Sequence, residues 1–415
     1  MSHRLRQNFF VCFVMVGVVA VVLSGCGGGG DTPVPLPDGG PMTGDGDPTI
    51  GDGDPMIGDG DPMTGDGDPM TGDDDPMTGD DDPMTGDGDP MTGDGDPMMT
   101  VGLGGGLTQS PQPPVYADSG QDTLANLLPG GEAVFSPLSS TIHLDYGMDE
   151  AAQPEQGTAY VKSISSDGAG GFHVISVFNG EESRVHLEAD DYSAEFSAFL
   201  KTSEDEQSFY YFTSWGSSEF DYFHFGYWLH YEGSDATAGD STLLQGETYD
   251  TYVTYGARTD SGRLPAGSAV YVGTMGAGWW DAEGDPDSNL PDRYLQGTLS
   301  LEANFDDATI SGRVDDMAIP SWSSDSGEDE PVGAIGIAAT TIDKAQFIAD
   351  WVGENTDVNA APDRTLSGFT GTILGEFYGP AAEEVSGVLS GRRAATGATP
   401  ERFIIGSFGA SQPEQ

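Results

Sequence analysis

The feature that most restricts how this chain can fold is an alternation near its end. At period two, Phe369, Gly371, Ile373, Gly375 and Phe377 fall on one face, the pattern breaks at Tyr378-Gly379-Pro380, and Val385, Gly387, Leu389 and Gly391 again share one face. The pattern predicts a β-hairpin. Glycine inside a strand weakens an open sheet, so its repeated use beside aromatics points to a sheet bent sharply enough to close on itself.

Further strands are expected at 268–276, 295–305, 309–316, 332–342, 365–377, 384–391 and 401–408. An even closure needs one more, from Trp351 and its neighbours or from a split of 332–342. The expected fold is all-β: an eight-stranded antiparallel up-and-down barrel over 263–412, its interior filled by side chains. Leu299, Leu301 and Ala303 alternate with Thr298, Ser300, Glu302 and Asn304, which places polar residues outside. A barrel in an outer membrane reverses that order.

A β-rich region is expected upstream, over 116–262, with short strands between Gly, Asn and Asp turns. Its densest part is 221–231, where Phe223, Phe225, Tyr227, Leu229 and Tyr231 share one face and Tyr222, His224, Trp228 and His230 the other. His224, Trp228 and His230 are therefore candidate ligand contacts; no cofactor is expected, and haem is the alternative. The two histidines are six strand residues apart, roughly 20 Å, which is too far to share one ion without a chain reversal. The competing reading makes them packing histidines. His143, His173 and His186 are scattered and form no metal motif, and no metal site is expected. In the loop that joins the first two barrel strands, Trp279 and Trp280 precede an acidic run. Neighbours in a strand point to opposite faces, so the pair reads either as an exposed partner-binding anchor or as one ring inside the barrel and one over its rim.

The first 115 residues are of another kind. Residues 1–25 have Arg4 and Arg6 before an apolar run and read as a secretory signal. The run ends in Leu23-Ser24-Gly25-Cys26, which resembles the bacterial lipobox and makes Cys26 the expected lipidated residue and outer-membrane anchor. Cys12 is the only other cysteine, so no disulfide is expected in the exported protein. From Pro41 a proline recurs every seven residues to Pro97, in units of the form Pro-Met-Thr-Gly-Asp-Gly-Asp. Such units hold one apolar residue each and cannot build a core, so 26–115 is expected to be a disordered, self-repelling tether rather than a calcium array.

Several strings carry a family resemblance. Gly375-Glu-Phe-Tyr-Gly-Pro-Ala-Ala-Glu-Glu-Val-Ser-Gly387, the closing Ile405 to Ala410 and Leu264 to Gly276 resemble strands of the transferrin-binding-protein-B-like β-barrel lipoproteins. The pair Gly297 to Phe305 and Ala308 to Val314 resembles that family's next hairpin, and Phe225 to Leu229 resembles the strand of its "handle" subdomain that precedes the barrel. The resemblance implies one handle-plus-barrel lobe on the cell surface, monomeric, capturing a host or environmental protein or haem. A formal charge of −55 excludes general nucleic-acid binding, because a phosphate backbone is repelled. No nucleophile elbow, phosphate loop or His-Glu-x-x-His motif is present, so no enzymatic activity is expected. The alternative is a structural or protective envelope protein with no dedicated ligand.

Overall fold

The computed structural model describes residues 106–413, apart from 132, 146–149, 153, 155–156, 195–196, 204–207, 216–218, 234–245, 283–290, 325, 357–363 and 398–399. The signal, Cys26 and the heptapeptide repeats lie outside the described residues. All described residues belong to one compact unit. Its strands in chain order begin with β1 (Leu107–Gln109), β2 (Val115–Tyr116), β3 (Val134–Phe135), β4 (Leu138–Asp145), β5 (Glu150–Ala152), β6 (Ala159–Ser166), β7 (Phe172–Phe178) and β8 (Glu181–Leu187). Next come β9 (Tyr192–Ser193), β10 (Ala198–Thr202), β11 (Ser208–Trp215), β12 (Phe223–Gly233) and β13 (Gly246–Arg258). The barrel strands are β14 (Ser268–Asp281), β15 (Arg293–Asn304), β16 (Thr309–Ile319), β17 (Glu330–Asp343), β18 (Gln346–Glu354), β19 (Thr370–Tyr378), β20 (Glu384–Arg393) and β21 (Arg402–Ser411).

Each barrel strand pairs antiparallel with the next, and β21 closes on β14 through Val272↔Ser411 to Asp281↔Arg402. The barrel is therefore closed and eight-stranded. Its eighth strand is β18, the segment around Trp351. Inside, one apolar cluster joins all eight strands, from Tyr271 and Leu299 to Phe377, Leu389 and Phe408. The glycines of the C-terminal hairpin make room for the rings of that cluster. Gly371 lies opposite Gly391, and Gly375 opposite Gly387. A Cβ on Gly391 would stand 2.1 Å from Trp351 Cζ2, and one on Gly375 2.3 Å from Phe347 Cζ. Four missing side chains leave notches in the wall, and large rings fill the space they leave.

The upstream residues build two sheets. The main sheet runs β9-β10-β11-β12-β13-β4, with β1 and β5 pairing to opposite ends of β4. The covering sheet is β3-β6-β7-β8. One face of the main sheet packs on the covering sheet through Trp228, Tyr249, Val253 and Tyr255 against Val161, Val174 and Leu187. The other face, with Tyr227, Leu229, Tyr231 and Tyr252, packs on the outside of the barrel against Trp280, Phe403 and Ile405. β20 and β21 are consequently buried on both faces along almost their whole length, whereas β15 and β18 alternate between buried and accessible positions. Thr298 and Glu302 are exposed on the outer wall while Leu299, Leu301 and Ala303 point inward.

Candidate functional site: the seam between the main sheet and the barrel

The end of β13 runs into the barrel wall, where Arg258 pairs with Tyr378 of β19. There the Arg258 guanidinium meets the Glu376 carboxylate at 2.7 Å, with the two side chains 7 % and 1 % exposed. Arg258 also donates to Ser136 O at 2.6 Å, while Gln109 (3.3 Å), Tyr378 (3.2 Å) and Gln346 donate to Glu376. Burial pushes the Glu376 carboxyl up, and Arg258 opposes it. A second carboxyl crosses the seam nearby. Glu384 accepts the backbone N–H groups of Asp221 at 2.7 Å and Tyr222 at 2.9 Å, which fixes the entry of β12. Burial outweighs those two bonds and raises Glu384 to about 7. Thr254 of β13 bonds Ser386 of β20 at 2.7 Å, and the Ser140 hydroxyl of β4 donates to Leu389 O at 2.7 Å.

Asp250 lies on the seam-facing side of β13 and is fully buried. Tyr227 donates to its Oδ1, its Oδ2 has no hydrogen-bond partner, and burial pushes its pKa well up. Burial thus favours the neutral acid form of Asp250. The side chains at the seam fasten the main sheet to the barrel.

Sequence reasoning singled out five residues as ligand contacts, and the fold covers all of them. Trp279 is 3 % exposed and belongs to the barrel interior; Phe369 meets its ring edge-on at 5.0 Å, and Arg393 and Arg402 lie 5.6 and 5.2 Å from its centre. Trp280, 2 % exposed, points the other way into the seam. Of the two readings of the pair, the burial fits the one that puts a ring on each side: β14 continues through both residues, so Trp279 lies inside the wall and Trp280 between wall and sheet. His224, Trp228 and His230 share a face of β12, but the covering sheet packs on that face. They are 8 %, 0 % and 0 % exposed, and burial lowers His224 to about 4. No open face remains between the two histidines for a flat macrocycle. The seam residues Arg258, Glu376 and Asp250 were not anticipated; the one available signal was an ionisable residue inside a run of strand-forming neighbours.

Residues 226–412 match the family model of the C-lobe and N-lobe β-barrels of Tf-binding protein B, from within β12 to the end of the barrel. Over these residues the chain resembles a transferrin-binding-protein-B lobe. The solved structures similar to it include a mutant of the vaccine antigen transferrin-binding protein B from Haemophilus parasuis Hp5, 16 % identical, covering 66 % of this chain and 45 % of that one with a TM-score of 0.34. The isotype 1 transferrin-binding protein B of serogroup B Neisseria meningitidis is 17 % identical over 66 % of this chain and 43 % of its own, with a TM-score of 0.32. A surface lipoprotein is 15 % identical and matches 61 % of this chain and 96 % of its own length, with a TM-score of 0.28. The chain thus spans less than half the length of the two transferrin-binding proteins. No curated protein matches its sequence at a significant level.

Proposed function

We propose that this chain is an outer-membrane surface lipoprotein of the iron-acquisition type, whose single lobe captures a protein ligand. The observation that carries the reading is the family match over 226–412, because the proteins with that barrel are described as binding transferrin. In this reading 1–25 is the signal, 26–115 a tether anchored by acylated Cys26, 116–262 a handle and 263–412 the barrel. A barrel with an apolar interior and exposed Thr298, Glu302 and Asp350 stands in water, so the acyl chains of Cys26 supply the membrane attachment. A protein ligand is favoured over haem because His224 and His230 are covered by a sheet. The protein works as a monomeric binding module, and catalysis has no part in this reading.

The test has two arms. Protease shaving of intact cells that carry the full-length protein is expected to remove the lobe. Immobilised mature protein is expected to retain an iron-loaded transferrin or another protein of the growth medium, while haemin titration leaves the Soret band unchanged. A lobe that survives shaving, or a haemin complex without any retained protein, defeats the proposal.

A further inference from the structure

The main sheet covers β20, β21 and the far end of β14, and leaves the outer wall from the start of β14 round to β18 facing water. On that wall Val270 and Val272 of β14 are 46 % and 45 % exposed, and Val352 of β18 is 49 % exposed. Tyr271 and Trp351 beside them point into the barrel, so the three valines face outward. One cross-strand row links the two strands: Val272 stands opposite Ser300, Ser300 opposite Arg313, Arg313 opposite Gly336 and Gly336 opposite Val352. At the ordinary strand spacing the row is about 19 Å long. It is low at two points, because Ser300 is short and Gly336 has no side chain, and Ala338 and Ala339 of β17 add small exposed apolar groups.

Acids edge this row. Glu302 stands opposite Val270, and Asp350 lies two residues from Val352 on the same outward face. Both are exposed, and neither pairs with a cation among the described residues. Arg313 is already held by Asp315 at 2.5 Å and by Glu354 at 2.8 Å, so it brings no spare positive charge. A lone exposed valine is ordinary surface. An apolar strip between carboxylates that no cation neutralises has instead the composition of a docking face, with a centre that sheds water and a charged rim. Charge decides the occupant. The chain holds 69 acidic residues against 14 basic ones, so a second copy and the Asp-rich repeats are both repelled from this wall. A surface with lysines or arginines around a small apolar centre is drawn in and buries the valines.

We propose, on the capture reading above, that the captured protein docks on the outer wall of β14 to β18 and that this partner is basic around a small apolar patch. The probe is a fluorescein-labelled heptapeptide, Lys-Lys-Leu-Phe-Leu-Lys-Lys, beside a control of equal charge with three serines in the middle. Fluorescence anisotropy follows their binding to the mature full-length protein. The apolar-centred peptide is expected to bind about tenfold more tightly than the control. That advantage is expected to vanish in V270T/V272T/V352T, whose side chains keep their shape, and E302K/D350K is expected to weaken both peptides. The same charge reversal away from the wall, E181K/D190K, is expected to leave the advantage intact. Urea midpoints equal to that of the unsubstituted protein show that the variants are folded. Equal affinities for the two peptides, an advantage that survives in V270T/V272T/V352T, or as large a loss in E181K/D190K as in E302K/D350K overturns the proposal. A protein of the growth medium retained equally by the unsubstituted protein and V270T/V272T/V352T also overturns this face, yet leaves capture standing. Peptide binding on the wall with nothing retained from the medium upholds the face and defeats the capture reading alone.

Discussion

Replacing Arg258 with Met isolates the chemistry of the seam. In the native lobe Glu376 is 1 % exposed and 2.7 Å from the guanidinium. Burial already pushes this carboxyl up against the pull of Arg258, and R258M removes that pull, while Gln109, Gln346 and Tyr378 still have a carboxyl oxygen to donate to. Removing one partner of a buried pair costs about 3–5 kcal/mol, of which the lost bond to Ser136 O is about 1 kcal/mol at any pH. The rest depends on the proton that the carboxyl takes up on folding. Because the folded value is raised, the deficit is small below about 4.5 and grows as the pH rises. Urea unfolding followed by tryptophan fluorescence at pH 5 and pH 7 measures it, and R258M/E376M is expected to recover most of the loss. An equal loss at both pH values, or a double variant no more stable than R258M, refutes the reasoning.

Other outcomes follow from the same packing. Glu384 is raised to about 7 from 4.5, so its contribution to stability is complete below about 4.5 and is lost as the pH climbs through 7. The slope of unfolding free energy between pH 4.5 and 7 is expected to be flatter in E384Q, by up to about 3 kcal/mol across the interval, as read by urea titration. Gly391→Ala drives a methyl into Trp351 and is expected to destabilise by about 1–3 kcal/mol, measured as a lower thermal midpoint. Trp279→Ala empties the ring site between Phe369 and two guanidiniums and is expected to cost about 3–5 kcal/mol in the same assay. Cys26→Ser is expected to move the full-length protein from the detergent phase to the aqueous phase on Triton X-114 partition.

The barrel was legible because its strands obey a simple rule. In β15, Leu299, Leu301 and Ala303 alternate with polar residues because one face meets the core and the other meets water. The glycines of β19 and β20 marked closure, although they also seat rings that arrive from β18 and β21. The central strand of the main sheet, β13, escaped the same reading. Its Thr248, Asp250, Thr251 and Thr254 are buried together with Tyr249, Val253 and Tyr255, so no alternation of apolar with polar survives. β13 lies between two packed layers, with Thr251 bonded to Thr141 of β4 and Thr254 to Ser386 of the barrel. Within the β-rich region, β9 and β10 are two short strands that pair antiparallel. The candidate site was read least well. A tryptophan or histidine among aromatics has the same appearance in sequence whether it greets a partner or fills a core, and His143 and His230 come to flank Tyr249 only through the register of β4, β12 and β13.

The strand that completes the ring is the last of the eight in chain order. β14 finds its second neighbour only when β21, about 130 residues later, has arrived, so the ring stays open until the whole barrel segment has been made. Lateness of this kind concentrates the hazard of misassembly at β21. Truncation there would leave two bare edges, the ends of a bracelet without its clasp.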